Sequence, residues 1–463
     1  MGKPNIILLT VDCLRFDRIG ANGCRLNTTP NLDRLIEEEG VNFTQTIAGG
    51  PSTMAAFPAL FTSSYPVMYG GTRFLSEDRT TIAQVLSQHS YTTIGISSNP
   101  YITPEFGYDR GFTKFWDSAQ RARKRNRKKV IINKFLSKNS KLWKLFREKI
   151  RNIETRKKKE TYPSAEKVNQ IVSNMLNFDD GNRPIFLWAH YMDLHYPYNL
   201  SKIDLTKTSN TTYSTKELGQ ILSILLNKPK ILKDDQKSII NEIYNASLKY
   251  FDYQLGLLFK EMRLLGIWDN SVVVVTADHG EELFEENRFG HGDEGENSSF
   301  SEELLHIPLV LKMPSLSNDK QTITALTSQL DIAPTLLNIV NLPFPENWYG
   351  KSTLPLINHV VPTLRDAAIT QRGVKDSFSL SWRTTDWKFI INAFSGEMKL
   401  HPISKKAKKL SPESNEYKAI SKRLYTHILE HLRDYEEPYS IERLARIELD
   451  DGIKKQLEDL GYL

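Results

Sequence analysis

The sequence predicts an α/β protein with a central, mostly parallel sheet flanked by helices, followed by a small C-terminal α+β unit. Three observations carry this expectation. The run Val272-Val-Val-Val-Thr-Ala-Asp-His-Gly-Glu281 is β-branched up to Thr276 and then meets Asp278 and His279, the pattern of a strand buried on both faces. Apolar strand-like runs alternate with helix-length segments from Asn5 to about Lys312. Beyond a proline-rich stretch from Pro343 to Pro355 the texture changes to short alternating segments.

Taken in order, Asn5-Ile-Ile-Leu-Leu-Thr-Val-Asp12 reads as a central strand running into a carboxylate. A buried acid there is costly unless something positive meets it. Ile185-Phe-Leu-Trp-Ala-His190 is a second apolar run and leads into Tyr-Met-Asp193-Leu-His195-Tyr-Pro-Tyr198. An amphipathic helix from about Asn241 to Gly266 feeds the strand before Asp278. In an open α/β sheet ligands bind beyond the carboxyl ends of the strands, so acids and imidazoles delivered there by several strands point to a divalent metal site. The C-terminal texture predicts strands at Phe378 to Trp382, Trp387 to Asn392 and Glu397 to Leu400, then a charged helix from about Asn415 to Asp434. The expected division is a catalytic unit over 1–340, with a basic helical insertion at 119–160, and a C-terminal unit over 341–463.

Composition agrees with a globular chain: 463 residues and 40% hydrophobic content suffice for one large core and a smaller appended unit. No run approaches the roughly 18 apolar residues of a spanning helix. The first strand begins within a few residues of Met1, which leaves no room for a cleavable signal peptide, and Cys13 and Cys24 are too few for a disulfide framework. The expected location is therefore the cytoplasm, with peripheral attachment to a membrane left open.

The pieces just described, with others, resemble the sulfatase family of the alkaline phosphatase superfamily. They are NIILLTVDCLRFDRIG from Asn5, TTPNLDRLIEEEGVNFTQTIA from Thr28, FTSSYP closing at Pro66, SSNPYI from Ser97, GYDRGFTKFWD from Gly107 and HYMDLHYPY from His190. VVVVTADHGEE from Val272, FGHG from Phe289, EELLHIPLVLKMP from Glu302 and LDIAPTLL from Leu330 complete the family's order, and the final LEDLGYL resembles a short terminal tag of many members. The resemblance implies an alkaline-phosphatase-like sandwich and a metal-dependent hydrolase of anionic esters.

One position departs from the family. Sulfatases open a Cys-x-Pro-x-Arg pattern with a Cys or Ser that is oxidised to formylglycine. Counting back from Thr62-Ser-Ser-Tyr-Pro66 puts Thr53 at the nucleophile position, Ala55 at the proline and Phe57 at the arginine. Threonine matches phosphodiesterase and phosphotransferase branches of the superfamily. Gly50-Pro51-Ser52-Thr53 also reads as a helix start, and a helix N-terminus favours an anion beside it; Ser52 is one residue out of register. A formylglycine hydrate expels sulfate by collapsing to the aldehyde, which threonine cannot do, whereas a threonyl phosphate can be hydrolysed by water. Phosphate or phosphonate esters are thus expected ahead of sulfate esters, with a true sulfuric ester hydrolase and a catalytically silent binder of anionic lipid or glycan as alternatives.

The resemblance implies metal ligands at Asp12, Thr53, Asp278 and His279, with Thr53 as the metal-activated nucleophile. His291 falls where the family contacts the transferred group and His195 on its substrate-side histidine, each a candidate proton donor. Cys13 stands where calcium-dependent members often have a second Asp, and His279 where they often have Asn. Imidazole in place of oxygen favours Mn²⁺ or Zn²⁺, with Ca²⁺ still admissible. Whether His190, Asp193 and His195 hold a second metal is open.

Residues 121–159 hold 18 Lys or Arg against Glu148 and Glu154, a net of +16 when the whole chain carries +6, so the remainder carries −10. Ile132, Phe135, Leu142, Phe146, Ile150 and Ile153 form a helical stripe within it. Such a segment suits an anionic membrane surface or polyanion, or docks on the core as a hairpin. Nothing in the chain resembles a nucleic-acid-binding motif.

Overall fold

The computed structural model describes residues 2–72, 74–120, 162–177, 183–205, 213–227, 231–291, 300–314, 321–374, 377–392, 396–404 and 406–434. The basic segment 121–159 and the LEDLGYL tail lie outside them.

The large sheet uses β1 (Asn5–Val11), β2 (Gly40–Ile47), β3 (Thr92–Ser97), β4 (Lys114–Asp117), β5 (Ile185–Tyr191) and β6 (Ser271–Ala277). A small hairpin, β7 (Glu282–Leu283) and β8 (Phe289–Gly290), stands apart from it, while β9 (His306–Lys312), β10 (Gln321–Ile323) and β11 (Thr327–Ser328) complete it. The order is β10-β2-β9-β6-β1-β5-β3-β4, with β11 also on β2. β9 is antiparallel to β2 and to β6; the remaining pairings are parallel.

Side chains alternate along each central strand into two cores. Ile7, Leu9 and Val11 of β1, Leu187 and Ala189 of β5, and Val273 and Val275 of β6 face one side. There they meet α1 (Pro30–Glu38), and also α4 (Ala165–Asn177), α5 (Thr215–Asn227) and α6 (Asp234–Leu264), the later members of a series in which α2 is Thr53–Thr62 and α3 is Ile82–Gln88. Ile6, Leu8, Phe186, Trp188, Val272 and Val274 face the other side, against α2, α3 and the helix Ile332–Ile339. Burial on both faces explains why these strands read as continuous apolar runs. α6 begins at Asp234, earlier than its apolar periodicity suggests, because its first residues, Asp-Asp-Gln-Lys-Ser, are polar and carry no stripe.

Four further strands, β12 (Ala368–Val374), β13 (Ser377–Arg383), β14 (Trp387–Asn392) and β15 (Met398–Pro402), form an antiparallel meander. β12 is an addition to the expected set. Leu424 and Ile428 of the helix Asn415–Asp434 pack on Leu380 and Phe389, and this layer meets Ala59, Tyr65 and Leu330. Residues 342–357 pack instead with the large sheet: Leu342, Trp348, Leu356 and Ile357 share a core with Phe57 and Leu60. Among the described residues no helix is long and apolar enough to cross a membrane.

Candidate active site at the carboxyl edge of the sheet

Val11 lies opposite both Tyr191 of β5 and Ala277 of β6. The next residues, Asp12 and Asp278, therefore leave the same edge of the sheet side by side. Thr53 approaches them as the first residue of α2, with Ser52 as its N-cap. Gly50 permits that close turn, since a Cβ there would stand 2.4 Å from the Ala55 carbonyl carbon. Thr53 Oγ1 is 3.3 Å from both Asp12 Oδ2 and His279 Nε2. Asp12, Thr53, Asp278 and His279 are all fully buried, so the structure brings the four expected residues together.

Asp12 is held by a chain of hydrogen bonds. Trp188 Nε1 donates to Thr10 Oγ1 at 3.0 Å, and that hydroxyl, 2.9 Å from His190 Nδ1, donates to it in turn. His190 then carries its proton on Nε2 and donates to Asp12 Oδ2 at 3.3 Å, while Asn99 Nδ2 donates to the same oxygen at 3.2 Å. Burial alone would raise the Asp12 carboxyl; His195, His190 and His279 outweigh it and hold it well below the usual carboxylate range. Asp278 goes the other way, pushed well above that range by burial and then by repulsion from Asp12.

These details fit a cation. His279 donates its Nδ1 proton to the Gly280 carbonyl at 2.7 Å, which puts the lone pair on Nε2. Burial, followed by the neighbouring His291, pushes this ring down to about 3, so it is neutral near pH 7. Its lone pair then faces Asp278 Oδ2 at 3.5 Å and Asp12 Oδ1 at 3.7 Å. Three electron-rich atoms converging in a buried space repel one another unless a positive ion sits among them. Asp278 Oδ2 has no hydrogen-bond partner among the described residues. Asp12, Asp278 and His279 each offer one donor atom within 4.8 Å of the others, and the Gly280 carbonyl fixes the imidazole as ligand histidines require.

His195 and His291 border this cluster. Their ring centroids are 5.1 Å apart, and His291 is 4.4 Å from the His279 ring. His195 Nδ1 donates to the Tyr196 carbonyl. Burial is the main reason His195 titrates below its ordinary value, with Asp12 opposing the shift. His291 Nδ1 is 2.9 Å from Glu281 Oε1, and Glu281 Oε2 lies 3.4 Å from Cys13 Sγ. His190, Asp193 and His195 do not converge: His190 is committed to Thr10 and Asp12, and Asp193 Oδ1 accepts the Ala165 amide at the start of α4.

Sequence reasoning did not assign roles to Asn99 or Glu281, and considered His190 only as a ligand of a second metal. Each stands inside a quoted motif, but only the sheet register shows that His190 lies level with Thr10 and Ser97 and points at Asp12. Phe57, at the family's arginine position, fills the apolar core with its ring edge-on to Trp188 and His190, so no cation comes from that position.

The family model described as Sulfatase matches residues 4–342. An arylsulfatase of Clostridium perfringens is 24% identical over 95% of this chain and 96% of its own. The phosphonate monoester hydrolase of Agrobacterium radiobacter has a TM-score of 0.70 at 18% identity, covering 94% of this chain and 96% of that one. A 2-O GAG sulfatase has a TM-score of 0.69 at 16% identity, covering 98% and 96%. The structural likenesses speak for the fold, and a protein of the alkaline phosphatase superfamily from Vibrio parahaemolyticus shares it with a TM-score of 0.61. With the family match spanning well over half of its length, the chain belongs to the sulfatase family and is an ester hydrolase.

Proposed function

We propose that this protein is a metal-assisted hydrolase of phosphate or phosphonate esters in which Thr53 is the nucleophile. The observation that carries the reading is the Thr53 hydroxyl, 3.3 Å from Asp12 and from His279 at the first turn of α2. No cysteine occupies that place, since the chain's only cysteines are Cys13 and Cys24.

Asp12, Asp278 and His279, with the Thr53 hydroxyl, would hold a divalent ion, Mn²⁺ or Zn²⁺ by their mixed donors. When bound, it supplies the positive charge that favours the Thr53 alkoxide and offsets charge developing on the ester. Thr53, its proton given up to solvent, attacks phosphorus as the bond to the leaving oxygen breaks, with its oxygen 3.3 Å from Asp12 Oδ2 and His279 Nε2. The amide end of α2 favours the anion that forms there. His195 and His291 stand beside the cluster where a proton can reach the leaving oxygen. Water then hydrolyses the threonyl ester and restores the hydroxyl.

Sulfate esters form the second reading, favoured by the arylsulfatase that matches nearly the whole chain. For 121–159 the proposed partner is an anionic surface or polyanion, on the strength of its net +16. The test is a panel of p-nitrophenyl phosphate, phosphodiester, phosphonate and sulfate esters assayed with added Mn²⁺ or Zn²⁺. Phosphonate or phosphodiester turnover that vanishes in Thr53→Ala is expected. Turnover of sulfate alone, or an unchanged Thr53→Ala enzyme, overturns the reading.

A further inference from the structure

Resting on the reading of Thr53 as nucleophile, we propose that the Ser52 hydroxyl is a substrate contact: it donates a hydrogen bond to a non-bridging oxygen of the phosphoryl or phosphonyl group that Thr53 attacks. Ser52 is the N-cap of α2, with an extended backbone at φ −152° and ψ 162°. Serine is favoured at a cap because its side-chain oxygen can accept an amide of the first turn. Here the side chain makes no such bond. The Ala55 and Ala56 amides donate to the Ser52 carbonyl instead, at 3.0 Å and 2.8 Å.

The hydroxyl bonds nothing else among the described residues, although Ser52 is only 4% exposed. A hydroxyl drawn so far out of water and left without a partner costs stability, which points to a group that the site receives. A cap side chain reaches the second and third amides of its helix, so this hydroxyl serves the space in front of the first turn. The Met54 amide, the second of α2, makes no backbone bond there. Thr53 Oγ1, on the next residue, meets Asp12 and His279 at 3.3 Å. Independently, the fully buried Asp278 Oδ2 has no hydrogen-bond partner among the described residues and lies 3.5 Å from His279 Nε2 in the same cluster. Phe57 supplies no cation, so neutral donors at the start of α2 are what this helix offers an oxygen turned away from the carboxylates. A fixed donor aimed at developing charge is worth more in a buried site than in water.

The experiment takes full-length wild type, Ser52→Ala and Ser52→Thr with Zn²⁺ or Mn²⁺ added, titrates inorganic phosphate by calorimetry, and measures kcat/KM for p-nitrophenyl phosphate and phosphonate esters. Ser52→Ala is expected to bind phosphate about tenfold more weakly or worse and to lose at least as much in kcat/KM, the scale of a hydrogen bond to a charged group. Its unfolding temperature should match the wild type's, because no cap bond is removed. Ser52→Thr keeps a hydroxyl and should recover most of both losses. Ser52→Ala with wild-type phosphate affinity and kcat/KM overturns the contact and leaves the Thr53 reading standing; if that variant also melts lower, Ser52 is a helix cap. Wild type that turns over neither phosphate nor phosphonate esters overturns both. Should Ser52→Ala not fold, Ser52→Gly, which also suits a helix start, decides by the same two readings.

Discussion

Replacing Asp278 by asparagine tests whether the buried acid pair exists to hold a cation. The side chain is fully buried, repelled by Asp12, and has one oxygen without a hydrogen-bond partner among the described residues. Asparagine keeps an oxygen to accept the His279 amide, now made at 2.9 Å, but removes the charge. Metal-free Asp278→Asn should therefore be at least as stable as metal-free wild type. The metal response should differ. An ion at a hundred times its dissociation constant stabilises the folded state by about 2.7 kcal/mol. At about 2.1 cal/mol/K of unfolding entropy per residue, a chain of 463 residues carries about 1 kcal/mol/K, so wild type should gain about 3 °C in Tm. Calorimetry with and without Mn²⁺ or Zn²⁺ measures this. An equal gain in Asp278→Asn, or a metal-free variant that melts well below metal-free wild type, refutes the reasoning.

Glu281→Gln removes the charge beside His291 Nδ1 and should slow esters with poor alkyl leaving groups by about 10- to 100-fold, within the range of general-acid contributions, while nitrophenyl esters change little; kcat for the two substrate classes checks it. His431, buried beneath the small sheet, is pushed down by burial from 6.5 to about 4. The unfolded chain thus takes up a proton that the folded one refuses, so stability is full above about pH 6.5 and falls by about 3 kcal/mol towards pH 4. Denaturant titrations of His431→Gln should show that much less acid loss. Charge reversal at Arg123, Lys124, Lys128 and Lys129 should weaken salt-sensitive binding to anionic liposomes and spare hydrolysis of a small ester. Unchanged liposome binding with a lower Tm would make the segment structural.

The sheet was legible because its central strands are buried on both faces and so carry unbroken apolar runs that stop at Asp12 and Asp278. β12 was not, because Ala-Ile-Thr-Gln-Arg-Gly-Val mixes polar residues into a strand. Its Thr370 and Gln371 satisfy themselves inside the protein, donating to the Ala48 carbonyl and accepting the Val67 amide. Nor can the sequence show that β9 runs antiparallel between β6 and β2, since a strand buried on both faces reads the same in either direction. At the site, Asp12, Asp278 and His279 came from the ends of strands, where patterns break visibly, and Thr53 came from the family register. Asn99 and His190 meet Asp12, and Glu281 meets Cys13, far along the chain, and only strand register and loop closure make those neighbours.

The central claim is that Thr53 itself carries the transferred group. Turnover of a p-nitrophenyl phosphate or phosphonate ester, quenched in acid within the first turnovers and digested for mass spectrometry, tests it most directly. The account predicts a phosphoryl or phosphonyl adduct on Thr53 that appears before steady state and is absent from Thr53→Ala. Burst turnover with Thr53 unmodified, or with the adduct on Ser52, would contradict it.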